Sequence, residues 1–109
     1  MDHRALDEIS LELARRVAER LRQQPELVEV ARANLDRWAR QNATAPALLR
    51  SYAEWRRLLS RPVEEICALL VAETDEARRL RHNSPFAGIL PPAEVWEIKA
   101  RHRHAARSA

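Results

Sequence analysis

Residues 5–23 read ALDEISLELARRVAERLRQ, and this stretch decides the fold class. Leu6, Ile9, Leu13, Val17 and Leu21 recur at spacings of 3, 4, 4 and 4. That period lays them along one stripe of an α-helix, whereas a strand would alternate every second residue. Asp7, Glu8, Glu12 and Glu19 with Arg15, Arg16, Arg20 and Arg22 stand off that stripe, as expected for a helix with one face in a core and one in water.

Working outward, proline punctuates the chain. Its fixed φ and missing N–H suit the first turn of a helix. Pro25, Pro46, Pro62 and Pro92 each precede an apolar pattern of helical period. Beyond Pro25 the stripe is Leu27, Ala31, Leu35 and Trp38. After the loop at residues 41–45, Pro46 opens a helix with Leu48, Tyr52, Trp55 and Leu59 inward. Ser60 is expected to cap a fourth helix beyond Pro62, because its hydroxyl suits an N-cap. Residues 63–71 are nearly apolar all round, which predicts the most buried helix of the set. Thr74-Asp75-Glu76 restarts a helical turn through Leu80, and Asn83 reads as a left-handed stop before Pro85. Pro92 opens the last helix. The expectation is an all-α single domain over residues 1–109, a bundle of about five helices, with residues 1–4 and 103–109 frayed. Its oligomeric state is open between a monomer and a homodimer.

Composition narrows the functions. The 109 residues include one Gly and six Pro, where average usage would give roughly seven or eight Gly. With Gly88 alone, no glycine-rich phosphate loop exists and tight β-hairpins are disfavoured. Cys67 is the single cysteine, so no disulfide can form within the chain. No apolar run is long enough to span a bilayer and no signal-like segment follows Met1, so no membrane association is expected and the cytoplasm is the default compartment.

The net charge is +3 and the basic side is nearly all arginine, with Lys99 the one lysine. The excess lies in residues 76–109, where six Arg and Lys99 face only Glu76, Glu94 and Glu97. Such an end suits DNA or an acidic partner. A helix-turn-helix is formally available in residues 63–71 and 74–82, with Arg78, Arg79 and Arg81 on the second helix. Its turn, Ala72-Glu73, lacks glycine and adds an acid where phosphates would lie.

Catalytic and metal chemistry find little support. His102 and His104 stand about 200° apart on a helix and cannot share a ligand face. Cys67 sits on an apolar face with no activating charge beside it. Glu64, Glu65, Glu73, Asp75 and Glu76 cluster at helix starts, where the dipole accounts for them. No catalytic residue, metal or cofactor is therefore assigned, and the protein is not expected to be an enzyme.

The segment Ser84-Pro85-Phe86-Ala87-Gly88-Ile89-Leu90-Pro91-Pro92 is a loop by its breakers, yet it carries three large apolar residues. With Trp96 they form either the closure of the core or an exposed docking patch. The partner-binding candidates are Phe86, Ile89, Leu90 and Trp96, with Arg81 and Arg101 as rim charges.

Residues 80–96, LRHNSPFAGILPPAEVW, resemble a segment of small bacterial antitoxin-like helical proteins, of the form L-R-x-S-S-P-F-A-G-x-L-x-x-x-E-R-W. Trp55, Leu58 and Leu59 match an upstream W-x-x-L-L, and residues 33–38 are similar to A-R-x-N-L-x-R-W. The chain departs at Asn83, where Ser is expected, and at Val95, where Arg is expected. The resemblance spans roughly residues 25–98 and assigns no catalytic residue. It implies an antitoxin-like interaction protein that binds and neutralises a co-encoded toxin and regulates its own operon. The alternative reading is a small DNA-binding transcriptional regulator.

Overall fold

The computed structural model describes the backbone of residues 3–108 and the side chains of residues 4–104. The order is α1 (His3–Gln23), a 3-10 turn (Pro25–Leu27), α2 (Val28–Gln41), α3 (Pro46–Leu59), α4 (Val63–Val71), α5 (Asp75–His82) and α6 (Pro92–Ser108). No strand occurs among the described residues. The expected count of about five becomes six α-helices. Residues 103–108, expected to fray, continue α6, and residues 3 and 4 belong to α1; residues 1, 2 and 109 lie outside the described ones.

The long α1 is the spine. Ile9, Val17 and Leu21 are buried, while Leu6 is 47% exposed, so the buried stripe starts one turn later than the sequence pattern. Ala14 and Ala18 extend that stripe. Their small side chains leave room for α4 to lie close against α1, and the Cys67 Sγ–H reaches the carbonyl of Ala18 at 3.5 Å. Leu21, Leu35, Leu59, Ile66, Leu70 and Trp55 fill the centre, each 2% exposed or less. Each contributes on the order of 1.5–3 kcal/mol by leaving water.

Helix boundaries follow local chemistry. Pro46 and Pro92 occupy first-turn positions as expected. Pro25 instead begins a 3-10 turn, and α2 starts at Val28. Ser60 corrects another expectation: it ends α3, donating its hydroxyl to the Arg57 carbonyl at 2.7 Å, and the N-cap of α4 is Pro62. Thr74 does cap α5, its Oγ1 accepting from the Ala77 N–H at 3.1 Å. Asn83 stops α5 without entering the left-handed region, at φ −119°. Gly88 alone takes positive φ among the described residues, at 89°, in the loop before α6.

That loop is pinned from several sides. Asn34, buried on α2, donates its Nδ2 hydrogens to the carbonyls of Pro85 and Ala87, both at 2.9 Å. Its Oδ1 accepts from Arg37 at 2.6 Å. The Trp55 indole donates to the Leu80 carbonyl at 3.2 Å, and its ring meets the Phe86 ring edge-on at 5.8 Å between centroids. Residues 33–38, 55–59 and 80–90, far apart in the chain, thus share one packed region. α6 then docks along α1: Glu94 takes Arg16 at 3.1 Å and Arg20 at 2.6 Å, while Glu12 takes Arg101 and His102.

Candidate interaction surface

The six candidate partner-binding residues separate into three groups. Phe86 and Leu90 are buried in the core cluster, at 4% and 6% exposure, and Ile89 packs half-buried against it. Of the two roles open to this loop, it closes the core. Asn34 and Trp55 hold its backbone and its phenyl ring, which leaves Phe86 and Leu90 little exposed surface with which to anchor a protein partner. The expected rim charge Arg81 is also corrected. It is 8% exposed and turns inward, its Nη1 donating to the carbonyls of Leu70 at 2.9 Å and Ala72 at 2.7 Å. Burial pushes its guanidinium below the usual arginine range, yet arginine keeps its proton at any physiological pH. Arg101 does lie at the surface, held by Glu12.

Trp96 is the exception: it is 62% exposed, the most exposed of the large hydrophobic residues described. The reason is helical phase. Ile98 and Glu94 face α1, and Trp96 lies nearly half a turn away from Ile98. Lys99 and Arg103, three and seven residues on, share its side of α6. The Arg103 guanidinium stacks over the Trp96 ring at 4.8 Å from the centroid. A shallow groove of about 400 Å³ runs beside them, lined by Gly88, Leu90, Pro91, Pro92, Val95, Trp96 and Lys99. Glu94, Arg101 and His102 are consumed by contacts to α1. Lys99 and Arg103 have no carboxylate at ion-pair distance among the described residues, so their charge is available to a partner. Composition marked this end as basic, but only the phase of α6 says which cations lie beside Trp96.

The arginines of the helix-turn-helix candidate are otherwise engaged. Arg78 pairs with Asp75 at 2.9 Å. Arg79 grips Glu54 of α3 with both nitrogens, at 2.9 and 3.0 Å. Arg81 is buried. The face that would meet phosphates therefore carries acids beside each exposed arginine.

The side chains that could carry chemistry are placed as follows. Cys67 is fully buried, and burial raises its thiol pKa, which favours the protonated form. His102 Nε2 lies 3.0 Å from Glu12. No group of three His, Cys, Asp or Glu among the described residues is placed to hold a metal, and no described helix is long and apolar enough to cross a membrane.

A second concavity lies under the loop. It measures about 350 Å³ and is walled by Leu13, Ala14, Val17 and Leu70 with Phe86 and Leu90, while Arg81 and Ser84 supply polar groups. No family model, curated protein or solved structure matches the chain.

Proposed function

We propose that the protein is an antitoxin-like binding partner that covers and neutralises a co-encoded toxin. The carrying observation is Trp96, mostly exposed on α6 and flanked by two cations that have no acid at ion-pair distance among the described residues. Tryptophan and arginine are the residue types that most often dominate interface energies, and unpaired cations beside them select an acidic surface. The partner is therefore a protein presenting an apolar pocket rimmed by Asp or Glu. The resemblance of residues 80–96 to antitoxin-like proteins supports the same reading. The rival reading, a DNA-binding regulator, draws less support, since Arg78 and Arg79 are paired with acids and Arg81 is buried.

The test is co-expression with the products of the adjacent genes. One of them is expected to arrest growth alone and to be silenced by this chain. Silencing should be lost when Trp96→Ala is combined with Arg103→Glu. Adjacent products that are harmless alone, or a toxic one that this chain does not silence, would overturn the reading. So would a dimer of this chain that buries Trp96 against its own copy.

A further inference from the structure

Arg81 sits beneath the 84–92 loop with an unusual set of neighbours. It is more than nine-tenths buried. Its Nη1 caps the end of α4 through the Leu70 and Ala72 carbonyls, a place where the helix dipole welcomes a cation. Its Nε–H, however, has no hydrogen-bond partner and is the single buried side-chain nitrogen or oxygen so left among the described residues. Asp7 and Glu73, which share a surface hollow with it, act on it through space, and no hydrogen bond joins either to it. A buried cation with an unmet donor is costly unless something satisfies it.

Arg81 also lines the cavity of about 350 Å³ described above. That size falls at the small end of the range for small-molecule pockets. Apart from Arg81, Ser10 and Ser84, its lining residues are apolar or glycine. Ala87 and Gly88, which line it, are exposed, and Gly88 has open space where a Cβ would stand. Such a pocket matches a ligand with one anionic head and an apolar body. A guanidinium recognises a carboxylate through paired N–H donors, and the hydroxyls of Ser10 and Ser84 add acceptor or donor capacity.

We propose that this cavity binds a medium-chain carboxylate, its head on Arg81 and its tail along Leu13, Val17, Leu70 and Phe86. The site borders the groove beside Trp96, with which it shares Gly88, Leu90 and Val95, but its ligand and its test do not depend on what docks there. Because one wall is the loop that leads into α6, an occupant would stiffen the segment that positions Trp96.

Decanoate is the probe, with decanol and acetate as controls, followed by calorimetry and by the Arg81 Nε–H resonance. Decanoate should bind and move that resonance; decanol should bind at least tenfold more weakly, and acetate should not bind measurably. Arg81→Met should weaken decanoate at least tenfold and leave decanol unchanged. Should Arg81→Met fail to fold, Ser10→Phe keeps the arginine and fills the cavity, and it too should weaken decanoate at least tenfold. Absence of decanoate binding, binding that leaves the Arg81 signal in place, or equal affinity for decanol would each overturn the proposal. Arg81 would then be a cap for α4 and nothing more.

Discussion

The Nδ2 of Asn34 stands 2.9 Å from the carbonyl oxygen of Pro85, joining α2 to a loop fifty-one residues further along the chain. The same nitrogen donates to Ala87, and Asn34 is 5% exposed. A buried amide that serves two carbonyls of one loop sets where that loop lies. Through Phe86 and Leu90 it also sets how the core closes, and it fixes the point from which α6 departs.

Asn34→Ala is therefore expected to cost about 1–3 kcal/mol, the usual price of leaving buried carbonyls without donors. Urea denaturation measures the loss. Amide exchange should rise in residues 84–90 more than in α1. A stability change below about 0.5 kcal/mol, within the range of ordinary surface substitutions, would show that the loop is held by its apolar side chains alone.

Much of this architecture is legible in the sequence. The period-3.6 stripes locate α1 to α4, since an apolar stripe can be buried only if the backbone is helical. Pro46 and Pro92 mark helix starts because a first-turn residue loses nothing by lacking an N–H. Pro25 misleads because a three-residue turn has no period to read. Ser60 misleads because a hydroxyl donates to a last-turn carbonyl as readily as it accepts from a first-turn amide. The candidate site is legible only in part. Trp96 is placed correctly near the basic end, but the split between Trp96 outside and Phe86 inside depends on Asn34 and Trp55, which are remote in sequence. Arg81 lies among Arg78, Arg79 and His82 and reads as a surface charge. Its burial comes from the free carbonyls at the end of α4, which meet it only in three dimensions.

Glu54 offers a test of pH dependence. Its hydrogen bonds from Arg79 hold its carboxyl below the usual carboxylate range, outweighing the opposing effect of burial. A carboxyl whose pKa is lower folded than unfolded stabilises the fold above its unfolded pKa. That contribution disappears as pH falls from about 4.3 through the folded value. Glu54→Gln should therefore be less stable than the parent at neutral pH, by a small margin because the pair is largely solvated. The two proteins should converge in stability as the solution is acidified below about pH 4. Parallel acid-unfolding curves followed by circular dichroism check this; a constant gap down to low pH would contradict it.

Cys67 reports on the core. It is fully buried between α1 and α4, and burial raises its thiol pKa. Only an exposed thiolate attacks the disulfide of a reagent such as DTNB and releases its thiolate leaving group. The folded chain should react at the rate at which α1 and α4 separate, and at least a hundredfold slower than the chain in denaturing urea. Leu21→Ala, which empties space in the same core and costs about 2–5 kcal/mol, should accelerate the reaction. Leu6→Ala, at a position 47% exposed, should leave it within a factor of two or three. Rapid labelling of the unmodified fold would mean that the α1–α4 contact opens readily.

Trp96 and Phe86 make opposite predictions from one stretch of sequence. Phe86 is 4% exposed and packs its ring on Trp55, so Phe86→Ala should remove about 3–5 kcal/mol of stability. Losses of that size approach the whole stability of a small domain. Any effect of Phe86→Ala on a partner would then follow from unfolding. Trp96 is 62% exposed, and its one ring contact of note is Arg103. Trp96→Ala should therefore leave the urea midpoint nearly unchanged, within about 0.5 kcal/mol. If Trp96 anchors a partner, the same substitution should weaken that complex by about 2 kcal/mol or more, some thirtyfold in Kd. Arg103→Glu should add a loss that shrinks as salt is raised, because it replaces a rim attraction with repulsion. Affinity lost at constant stability separates a docking residue from a packing residue. A Trp96→Ala protein that is destabilised as strongly as Phe86→Ala, or that binds the partner undiminished, would remove α6 from the interface.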